Sequence, residues 1–481
     1  MAIVRAERDI RLAILLVFLC EIACSTVLAD NWPQFRGPNG SAVDLSGTQT
    51  PDRIGPAENP LWKISLPPGH SSPIVVGPRI FVTAVREKTL LTIGLDRETG
   101  ATLWETVAPY EQLESIHRIG SYAQSTPCAD ADCVVSFFGS SGLYVHDHDG
   151  KLLWSRAMGP FANDFGAASS PILSGDRIFT CQDHDLDSYL ICLDKRTGDV
   201  IWKTARPEFL RNSCTPIIWN NQGHPQIVVA ATLRVVGYDL ETGTEAWTVR
   251  GISRTVVSSP VVSPEGDLYL AGWAAGGDEA DRIGIQPFDD IINLLDVDKN
   301  GTLEETEMKE GAVYQRFSQA DRDKDGHLTR AEYELFRSLF DRGRNFLLSI
   351  KPGASGESTE THVRWKYPKQ VPFCASPVFY GRQLFTVKDG GILQCLNADT
   401  GLPIKLLRLE ASGSYYSSPV IAAGKIYLID EEGRSSVVSA TTALEVLHTS
   451  EFKEDVFSTP AIADGRLYVR TAGALYCFGR R

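Results

Sequence analysis

At eight places spaced almost regularly along the chain, a serine or threonine is followed directly by proline. Six of the seven intervals between these prolines are 41 to 54 residues long, and the remaining interval is 117 residues. A fixed period in this range is the sequence signature of repeat folds, which use one supersecondary unit many times. We therefore expect eight repeats, one of which carries about 73 additional residues. The dipeptides are Ser72-Pro73, Thr126-Pro127, Ser170-Pro171, Thr215-Pro216, Ser259-Pro260, Ser376-Pro377, Ser418-Pro419 and Thr459-Pro460.

A second signature lies later in most repeats, where an aspartate is followed by threonine, glycine and finally tryptophan. Thr-Gly is typical of a tight hairpin whose glycine adopts a positive φ angle. The tryptophan beyond it is a large apolar side chain suited to packing between neighbouring sheets. The clearest copies are Asp96-Thr99-Gly100-Trp104, Asp194-Thr197-Gly198-Trp202 and Asp239-Thr242-Gly243-Trp247.

The two ends of the chain together complete one repeat. Trp62 has no Asp-Thr-Gly before it, and the last repeat ends near Phe478 without a strand that carries a tryptophan. Pairing the strand near Trp62 with the C-terminal strands would close a ring and remove the free sheet edges. The sequence therefore predicts an all-β fold, an eight-bladed β-propeller with four-stranded blades and an N-terminal strand in the last blade.

These repeats resemble those of the pyrroloquinoline-quinone-type, or quinoprotein-type, propellers over residues 59–273 and 345–478. That family contains quinoprotein alcohol dehydrogenases and non-enzymatic relatives such as the lipoprotein of the outer-membrane barrel-assembly machinery. The dehydrogenases typically have adjacent cysteines against the quinone and a Glu/Asn/Asp set that holds a catalytic Ca²⁺. This chain has no Cys-Cys pair and no residues that match that set, so the resemblance implies the fold and carries over no catalytic residue.

The additional residues, 274–344, have helical periodicity and contain two matching acidic loops. Each loop follows the calcium-binding EF-hand pattern, with oxygen-bearing side chains at positions 1, 3, 5 and 12 and glycine at position 6. Ca²⁺ is a hard cation that takes oxygen ligands, and position 7 supplies a backbone carbonyl. The predicted ligands are Asp296, Asp298, Asn300, Thr302 and Glu307 in the first loop and Asp321, Asp323, Asp325, His327 and Glu332 in the second.

The spacing of the two loops predicts a compact module. The loops start 25 residues apart, and the 13 residues between them have room for a single helix. We therefore expect a fixed calcium module rather than a sensor that opens a long groove. Leu303 and Leu328, both at position 8, are predicted to pair the loops. The segment has 17 acidic and 10 basic residues, so without Ca²⁺ it should be loosely folded.

The position of the insert within the repeats predicts which residues surround one opening of the central channel, which we call the mouth. Counting strands puts the insert between the second and third strands of blade five, a position that shares one face with the connections between blades. Those connections contain aromatic and cationic residues that either bind a ligand or only fill the channel entrance. They are His70, His117, Arg118, Tyr122, Arg211, Arg254, Phe373, Tyr415, Tyr416 and Phe457.

The N-terminus has the pattern of an export signal. Arginines precede an apolar run from Leu12 to Cys20, and Val27-Leu28-Ala29 offers a cleavage site, so we expect a signal peptide over residues 1–29 and an extension over 30–58. No later stretch is apolar enough to span a membrane. The net charge of −13 argues against nucleic acid as a partner, because nucleic-acid binding needs a basic surface.

Eight cysteines lie beyond the predicted signal, and an exported protein can pair them. The spacing of Cys128 with Cys133, and of Cys181 with Cys192, suggests pairs that face each other across hairpins. The alternative is that cysteines fill crowded core positions, because Cys192 falls where another repeat has Gly94.

Two functions from different classes remain. The first is an exported calcium-binding propeller that acts as a non-catalytic binding or assembly scaffold at the cell envelope, with another envelope protein or a small ligand as partner. A calcium-gated adhesion module differs from it only in whether the partner needs Ca²⁺. The second is a dehydrogenase with pyrroloquinoline quinone in the propeller mouth, a function that no motif in the sequence supports. The sequence leaves the enzyme question open and favours the scaffold.

Overall fold

A computed structural model describes residues 31–480, and the predicted signal peptide lies outside the described residues. Eight sheets are arranged as blades in a closed ring, so the predicted eight-bladed propeller is confirmed. Each blade has four antiparallel strands, and two blades have a fifth, parallel strand at one edge. Consecutive strands of each blade are antiparallel neighbours, and the core is formed by apolar side chains packed within and between the blades. No helix within residues 31–480 is long and apolar enough to cross a membrane.

Two strands precede the first complete blade, β1 (Val43–Asp44) and β2 (Trp62–Ser65). The next sixteen strands form blades 1 to 4 in chain order. They are β3 (Ile74–Val76), β4 (Arg79–Arg86), β5 (Thr89–Asp96), β6 (Thr102–Ala108), β7 (Cys128–Ala129), β8 (Val134–Phe137), β9 (Leu143–His146), β10 (Leu152–Arg156), β11 (Ile172–Ser174), β12 (Arg177–Gln182), β13 (Tyr189–Asp194), β14 (Val200–Ala205), β15 (Ile217–Asn221), β16 (His224–Ala231), β17 (Arg234–Asp239) and β18 (Glu245–Arg250).

Blade 5 is interrupted by the insert, and β2 completes blade 8. Blade 5 consists of β19 (Val261–Val262), β20 (Leu268–Gly272), β23 (Phe346–Ile350) and β25 (Val363–Tyr367), while β24 (Gly356–Glu357) adds a parallel strand to blade 4. The remaining strands are β26 (Val378–Tyr380), β27 (Gln383–Lys388), β28 (Ile392–Asn397), β29 (Pro403–Arg408), β30 (Val420–Ala422), β31 (Lys425–Ile429), β32 (Arg434–Ser439), β33 (Val446–Glu451), β34 (Ala461–Ala463), β35 (Arg466–Arg470) and β36 (Ala474–Phe478).

The N-terminal strand closes the ring as the sequence predicts. Trp62 in β2 lies opposite Cys477 in β36, and the backbone N–H of Leu61 donates to the Cys477 carbonyl at 2.8 Å. Blade 8 is thus built from both ends of the chain. This closure removes the edge strands that an open array of blades would expose.

The hydroxyl residues before the prolines form a second closure at the centre of the ring. In each blade the hydroxyl oxygen accepts a hydrogen bond from the backbone N–H of the equivalent residue in the preceding blade, at 2.9–3.1 Å. The last bond runs from Thr459 N–H to Ser72 Oγ, 387 residues apart in sequence. The eight bonds therefore form one continuous circle, which is why every repeat has serine or threonine at this position.

The Thr-Gly hairpins and the tryptophans contact each other between blades. Trp154 of blade 2 donates from Nε1 to the Lys195 carbonyl of blade 3 at 2.8 Å, and its ring lies against Gly198. A Cβ atom on Gly198 would lie 2.7 Å from that ring, and the glycine has a φ of +76°. Glycine is therefore required both by the backbone conformation and by the approach of the tryptophan.

The N-terminal extension crosses the ring on the face opposite the blade-to-blade connections. It hydrogen-bonds to residues of three innermost strands, Val75, Ala129 and Ile421, each at 2.8–2.9 Å. Arg36 of this extension is fully buried, donates to the Pro377 carbonyl, and has a pKa lowered by burial to about 9. The extension thus closes one end of the central channel.

The insert contains short helices and one two-stranded ribbon. Its α-helices are α1 (Phe288–Leu295), α2 (Phe317–Ala320) and α3 (Arg330–Arg342), and its ribbon pairs β21 (Leu303–Glu304) with β22 (His327–Leu328). The fourth α-helix, α4 (Thr359–His362), lies in blade 5. Short 3-10 turns are at Pro38–Gly40, Gly139–Ser141, Glu279–Asp281, Glu305–Glu307 and Tyr314–Arg316. The insert has an apolar core of its own, which includes Phe288, Tyr333 and Phe336.

The suggested disulfides are wrong. All eight cysteines within residues 31–480 are free thiols. In blade 3 the strand register places Cys181 opposite Leu190 and Cys192 opposite Phe179, so the two cysteines are not partners across the hairpin. Cys192 lies instead opposite Trp202, as Gly94 lies opposite Trp104. The small side chain makes room for the indole ring.

Candidate functional site

A cavity of about 480 Å³ occupies the centre of the propeller. Phe35 of the N-terminal extension and Gln319 of the insert are among its lining residues, so it reaches from the closed end of the channel to the insert. Seven hydroxyl residues of the central circle also line it, namely Ser72, Thr126, Ser170, Thr215, Ser376, Ser418 and Thr459. A cavity of this size is in the usual range for small-molecule sites.

The wall of the cavity above the hydroxyl circle is aromatic. The His70 ring stacks on Phe457 with centroids 4.2 Å apart, and the Tyr416 ring lies 5.1 Å from the same Phe457 ring. Trp273 and Phe373 form a second pair at 5.2 Å. Burial lowers the pKa of His70 to about 4. His70 is therefore neutral near neutral pH and adds no charge to the cavity.

The structure brings together six of the ten predicted mouth residues. The lining includes His70, Arg211, Arg254, Phe373, Tyr416 and Phe457. His117, Arg118, Tyr122 and Tyr415 do not line it. The Tyr415 side chain is buried and donates its hydroxyl to the Ala411 carbonyl at 2.6 Å, and the Tyr122 hydroxyl donates to the Glu114 carbonyl at 2.8 Å.

The second loop of the insert is anchored to the rim of the cavity. Arg211 pairs with both carboxylate oxygens of Asp185 and with Asp164, and its Nη2 also donates to the Ser318 carbonyl at 3.1 Å. Burial would lower the pKa of Arg211, but its bonds to Asp185 raise it. From the loop itself, the Lys324 ammonium lies 3.7 Å from the same Asp185 carboxylate. One buried arginine therefore joins blades 2 and 3 to the insert.

Helix α3 gives the insert an apolar contact with the propeller. Leu339 of α3 is buried against Leu210 and Leu233, with Leu335 beside them. The insert is thus fixed to the ring by apolar packing, by the Lys324–Asp185 ion pair and by hydrogen bonds such as that from Arg211 to Ser318.

In the first acidic loop, the carboxylate oxygens of Asp296, Asp298 and Glu307 lie within 4.8 Å of one another. Backbone N–H groups of the loop hold these oxygens, including Gly301 N–H on Asp296 Oδ2 at 2.9 Å and Val297 N–H on Glu307 Oε1 at 2.7 Å. The loop thus gathers its acidic predicted ligands at positions 1, 3 and 12. Asn300 Oδ1 lies in the same turn, where it accepts from the Thr302 N–H.

In the second loop, the gathered oxygens belong to Asp321, Asp323 and Asp325. Asp321 is only 5% exposed, and its Oδ1 is buried with no hydrogen-bond partner in the described part of the chain. Glu332 is not part of this group. Its two oxygens accept instead from the backbone N–H groups of Arg322 and Thr329, both at 3.0 Å.

The two loops are joined by the ribbon that the sequence predicts. Leu303 lies opposite Leu328, and both side chains are fully buried. Across the same ribbon His327 Nδ1 lies 2.6 Å from Glu304 Oε1, which raises the pKa of His327. Hydrogen bonds, the largest from Asn300, lower the pKa of Glu304 to about 2. The pair of loops therefore forms one unit, with Thr302 and His327 directly before or within the ribbon.

Sequence reasoning missed several cavity residues. Phe35 comes from the extension, Phe165 from the connection between blades 2 and 3, Trp273 from the residue before the insert and Gln319 from helix α2 within it. No repeat period marks these residues. The hydroxyl circle was visible in the sequence as a spacing signal, but its position on the cavity wall was not.

Comparisons with known proteins fit this geometry. A sequence profile described as the outer membrane protein assembly factor BamB matches residues 57–184 and 139–278. No curated protein matches the chain by sequence. The crystal structure of BamB from Moraxella catarrhalis has 12% identity and a TM-score of 0.55, covering 88% of this chain and 98% of that one. These likenesses show the fold, an eight-bladed β-propeller.

Two further structures show how broadly this propeller fold is used. The quinohemoprotein alcohol dehydrogenase from Comamonas testosteroni has 13% identity and a TM-score of 0.53, covering 94% of this chain and 81% of that one. A computationally designed protein, Ika8, has 10% identity and a TM-score of 0.52, covering 86% and 98%. A dehydrogenase, an assembly factor and a designed protein share the fold, so function has to be argued from the site.

The cavity of this propeller does not fit a calcium-dependent quinone. Among the residues that line it within 31–480 there is no aspartate and no glutamate, and Ca²⁺ takes carboxylate and carbonyl oxygens. The lining cysteine, Cys374, has no adjacent cysteine in the sequence. No reaction step through a quinone follows from these residues.

Proposed function

We propose that the protein is an exported, calcium-binding β-propeller that acts as a non-catalytic binding or assembly scaffold at the cell envelope. Two Ca²⁺ ions are held by the EF-hand loops, and the partner is another envelope or extracellular protein or a small ligand at the mouth. The observation that carries the proposal is that the two acidic loops pair as one unit anchored on the rim of the cavity.

The internal bonding of the loops supports calcium as the ion. In both loops the glycine at position 6 has a positive φ and its N–H holds the aspartate at position 1. The buried Oδ1 of Asp321 has no protein donor within residues 31–480, and an unpaired buried carboxylate oxygen is costly. A hard divalent cation would satisfy this oxygen and offset the charge that the loop concentrates.

The comparisons support the scaffold part of the proposal. The matched sequence profile and one similar structure are those of an outer membrane protein assembly factor. Propellers of this kind present their mouth as a concave surface. Here the mouth is aromatic and bordered by the insert, which is the arrangement expected of a binding surface.

A calorimetric Ca²⁺ titration tests the proposal. The decalcified protein from residue 30 onward is compared with the Glu307→Gln, Glu332→Gln double variant, which removes the carboxylate at position 12 of each loop. We expect about two sites in the parent, because there are two loops, and almost no heat in the variant. A matched control is Glu305→Gln, Glu310→Gln, which removes two exposed acidic side chains of the same insert outside the predicted ligand set.

The outcomes separate the two functions. Loss of binding in the double variant alone places the calcium in the loops and favours the scaffold. A tight site that survives in the double variant lies elsewhere and contradicts the proposal, because calcium would then be held by a second site. Absence of binding in the parent also contradicts it.

A further inference from the structure

The lining of the central cavity has donors and cations without matching acidic groups. Its residues within 31–480 include two arginines and no aspartate or glutamate. Arg211 is already paired with Asp164 and Asp185. Arg254 has no ion pair with a described carboxylate, so it is the cation in the lining that is left to a ligand.

Arg254 is held in a way that exposes its charge to the cavity without neutralising it. Its guanidinium lies 4.3 Å from the centre of the Phe340 ring of α3, and Nη2 makes only a long contact of 3.5 Å to the Ala275 carbonyl. Its Nε is buried and has no hydrogen-bond partner in the described chain. A buried guanidinium with an unpaired donor is unfavourable unless an anion joins it.

A second arginine increases the positive potential at this place. Arg316 lies in the 3-10 turn Tyr314–Arg316 of the insert, and its guanidinium is 5.8 Å from the centre of the same Phe340 ring. It forms no ion pair among the described residues. Burial and the repulsion of Arg316 lower the pKa of Arg254 to about 10. The side chain nevertheless stays charged at neutral pH. Arg316 does not itself line the cavity, but its charge adds to the positive potential at Arg254 and so favours an anion there.

The hydroxyl circle adds weaker donors to the lining of the cavity. Each ring hydroxyl uses its oxygen to accept a backbone hydrogen bond, for example Thr215 Oγ1 from the Ser170 N–H at 3.1 Å. None of the eight hydroxyls donates to another group among residues 31–480, so the O–H groups of the seven that line the cavity are available to a ligand. The lining also includes the aromatic side chains of Phe165, Phe373 and Phe457.

We propose that the cavity binds one small organic anion with an apolar or aromatic body, whose acidic group pairs with Arg254. The aromatic wall takes the body, and the hydroxyl circle receives any polar group at its far end. The cavity volume of about 480 Å³ limits the ligand to a small molecule. This inference rests on the proposed function only in naming the ligand class of the scaffold's mouth. It does not need calcium in the loops.

A matched pair of fluorescent probes tests the inference. Anilinonaphthalene sulfonate has an aromatic body with an anionic group, and N-phenylnaphthylamine has nearly the same body without the charge. We expect the folded protein to bind one sulfonate probe and to prefer it about tenfold or more over the neutral probe, because a hydrogen bond to a charged group contributes about 1.5–3 kcal/mol. Equal affinity for both probes, or several weak sites, would overturn the proposal.

Variants of Arg254 test whether this side chain supplies the positive charge that binds the sulfonate probe. Arg254→Met keeps a long apolar side chain on Phe340. We expect it to lower the affinity for the sulfonate probe about tenfold or more and to leave the affinity for the neutral probe unchanged. Arg254→Lys keeps the charge and should lose less affinity for the sulfonate probe than Arg254→Met does. Arg196→Met, which removes an exposed arginine on a hairpin of blade 3, serves as the control and should change neither affinity. Near-ultraviolet circular dichroism verifies that each variant is folded.

The variants also separate this inference from the calcium proposal. In the Glu307→Gln, Glu332→Gln background, the Arg254 dependence of the sulfonate probe is expected to remain. If calcium binding fails in the parent but this dependence holds, only the proposed function is wrong. If Arg254→Met binds the sulfonate probe as tightly as the parent does, the anion site is wrong whatever the calcium titration gives.

Discussion

Replacing Thr459 by valine tests the closed circle of hydroxyl bonds directly. Thr459 Oγ1 accepts the backbone N–H of Ser418 at 3.0 Å, and both residues are at most 2% exposed. Valine has the same shape, so the variant removes one acceptor and leaves the packing almost unchanged. The backbone bond from Thr459 itself to Ser72 is kept.

The expected loss follows from the group that is left unpaired. A buried N–H without an acceptor costs about 1–3 kcal/mol in the free energy of unfolding. No cavity term is added, because the methyl group takes the place of the hydroxyl. The same change at Thr126 or Thr215 removes an equivalent bond, to Ser72 or Ser170, and should cost a similar amount.

Urea unfolding followed by circular dichroism measures this loss as a lower midpoint at unchanged slope. Thr102→Val, at an exposed position of outer strand β6, is the control and should remain within about 0.5 kcal/mol of the parent. If Thr459→Val is as stable as this control, the hydroxyl circle does not stabilise the ring and its role in closure is refuted.

Three further changes test other contacts. Gly198→Ala should destabilise the protein by roughly 2–5 kcal/mol in urea unfolding, because the glycine has a positive φ and its new methyl group would meet Trp154. Arg206→Met leaves the fully buried carboxylate of Asp183 unpaired and should cost about 3–5 kcal/mol. Burial lowers the pKa of His146 to about 4, so the unfolded chain binds more protons below pH ~6.5 and stability falls as the pH drops from ~6.5 to ~4, by up to about 3 kcal/mol. His146→Leu should flatten that part of the pH profile.

Each of these changes has its own comparison. Gly223 has a similar φ but nothing within 4 Å of an added Cβ. Gly223→Ala should therefore lower the free energy of unfolding only by the cost of placing alanine at a positive φ, without a steric clash. The Arg206→Met, Asp183→Leu double variant should recover most of the loss, and a double variant as unstable as the single one would contradict the ion-pair argument. An unchanged acid slope in His146→Leu would show that other groups carry the pH dependence.

The repeat architecture could be predicted from the sequence because its signals recur. The Ser/Thr-Pro spacing marked every blade, and the position of Trp62 relative to Phe478 predicted which strands would meet. The reason for the hydroxyl could not be derived, since a hydrogen bond between Thr459 and Ser72 depends on two blades that are neighbours only in the closed ring.

The cavity was predictable only in part, because loop side chains have no period. Tyr415 and Tyr416 are adjacent in sequence, yet the first is buried under a backbone carbonyl and the second faces the cavity. The cysteine pairing failed for a related reason. The register of β12 and β13 is fixed by their hairpin, and it places Cys181 opposite Leu190.

Closure by both ends has a consequence for how the chain is made. Strand β2 is synthesised before the first complete blade, but its partner β36 is synthesised after every other strand of the ring. Throughout elongation β2 and the growing last blade therefore present unpaired edges, which are sites of wrong association between chains. A chain without Ala474–Phe478 would leave that edge open permanently. This one strand thus decides whether the blades before it become a closed ring.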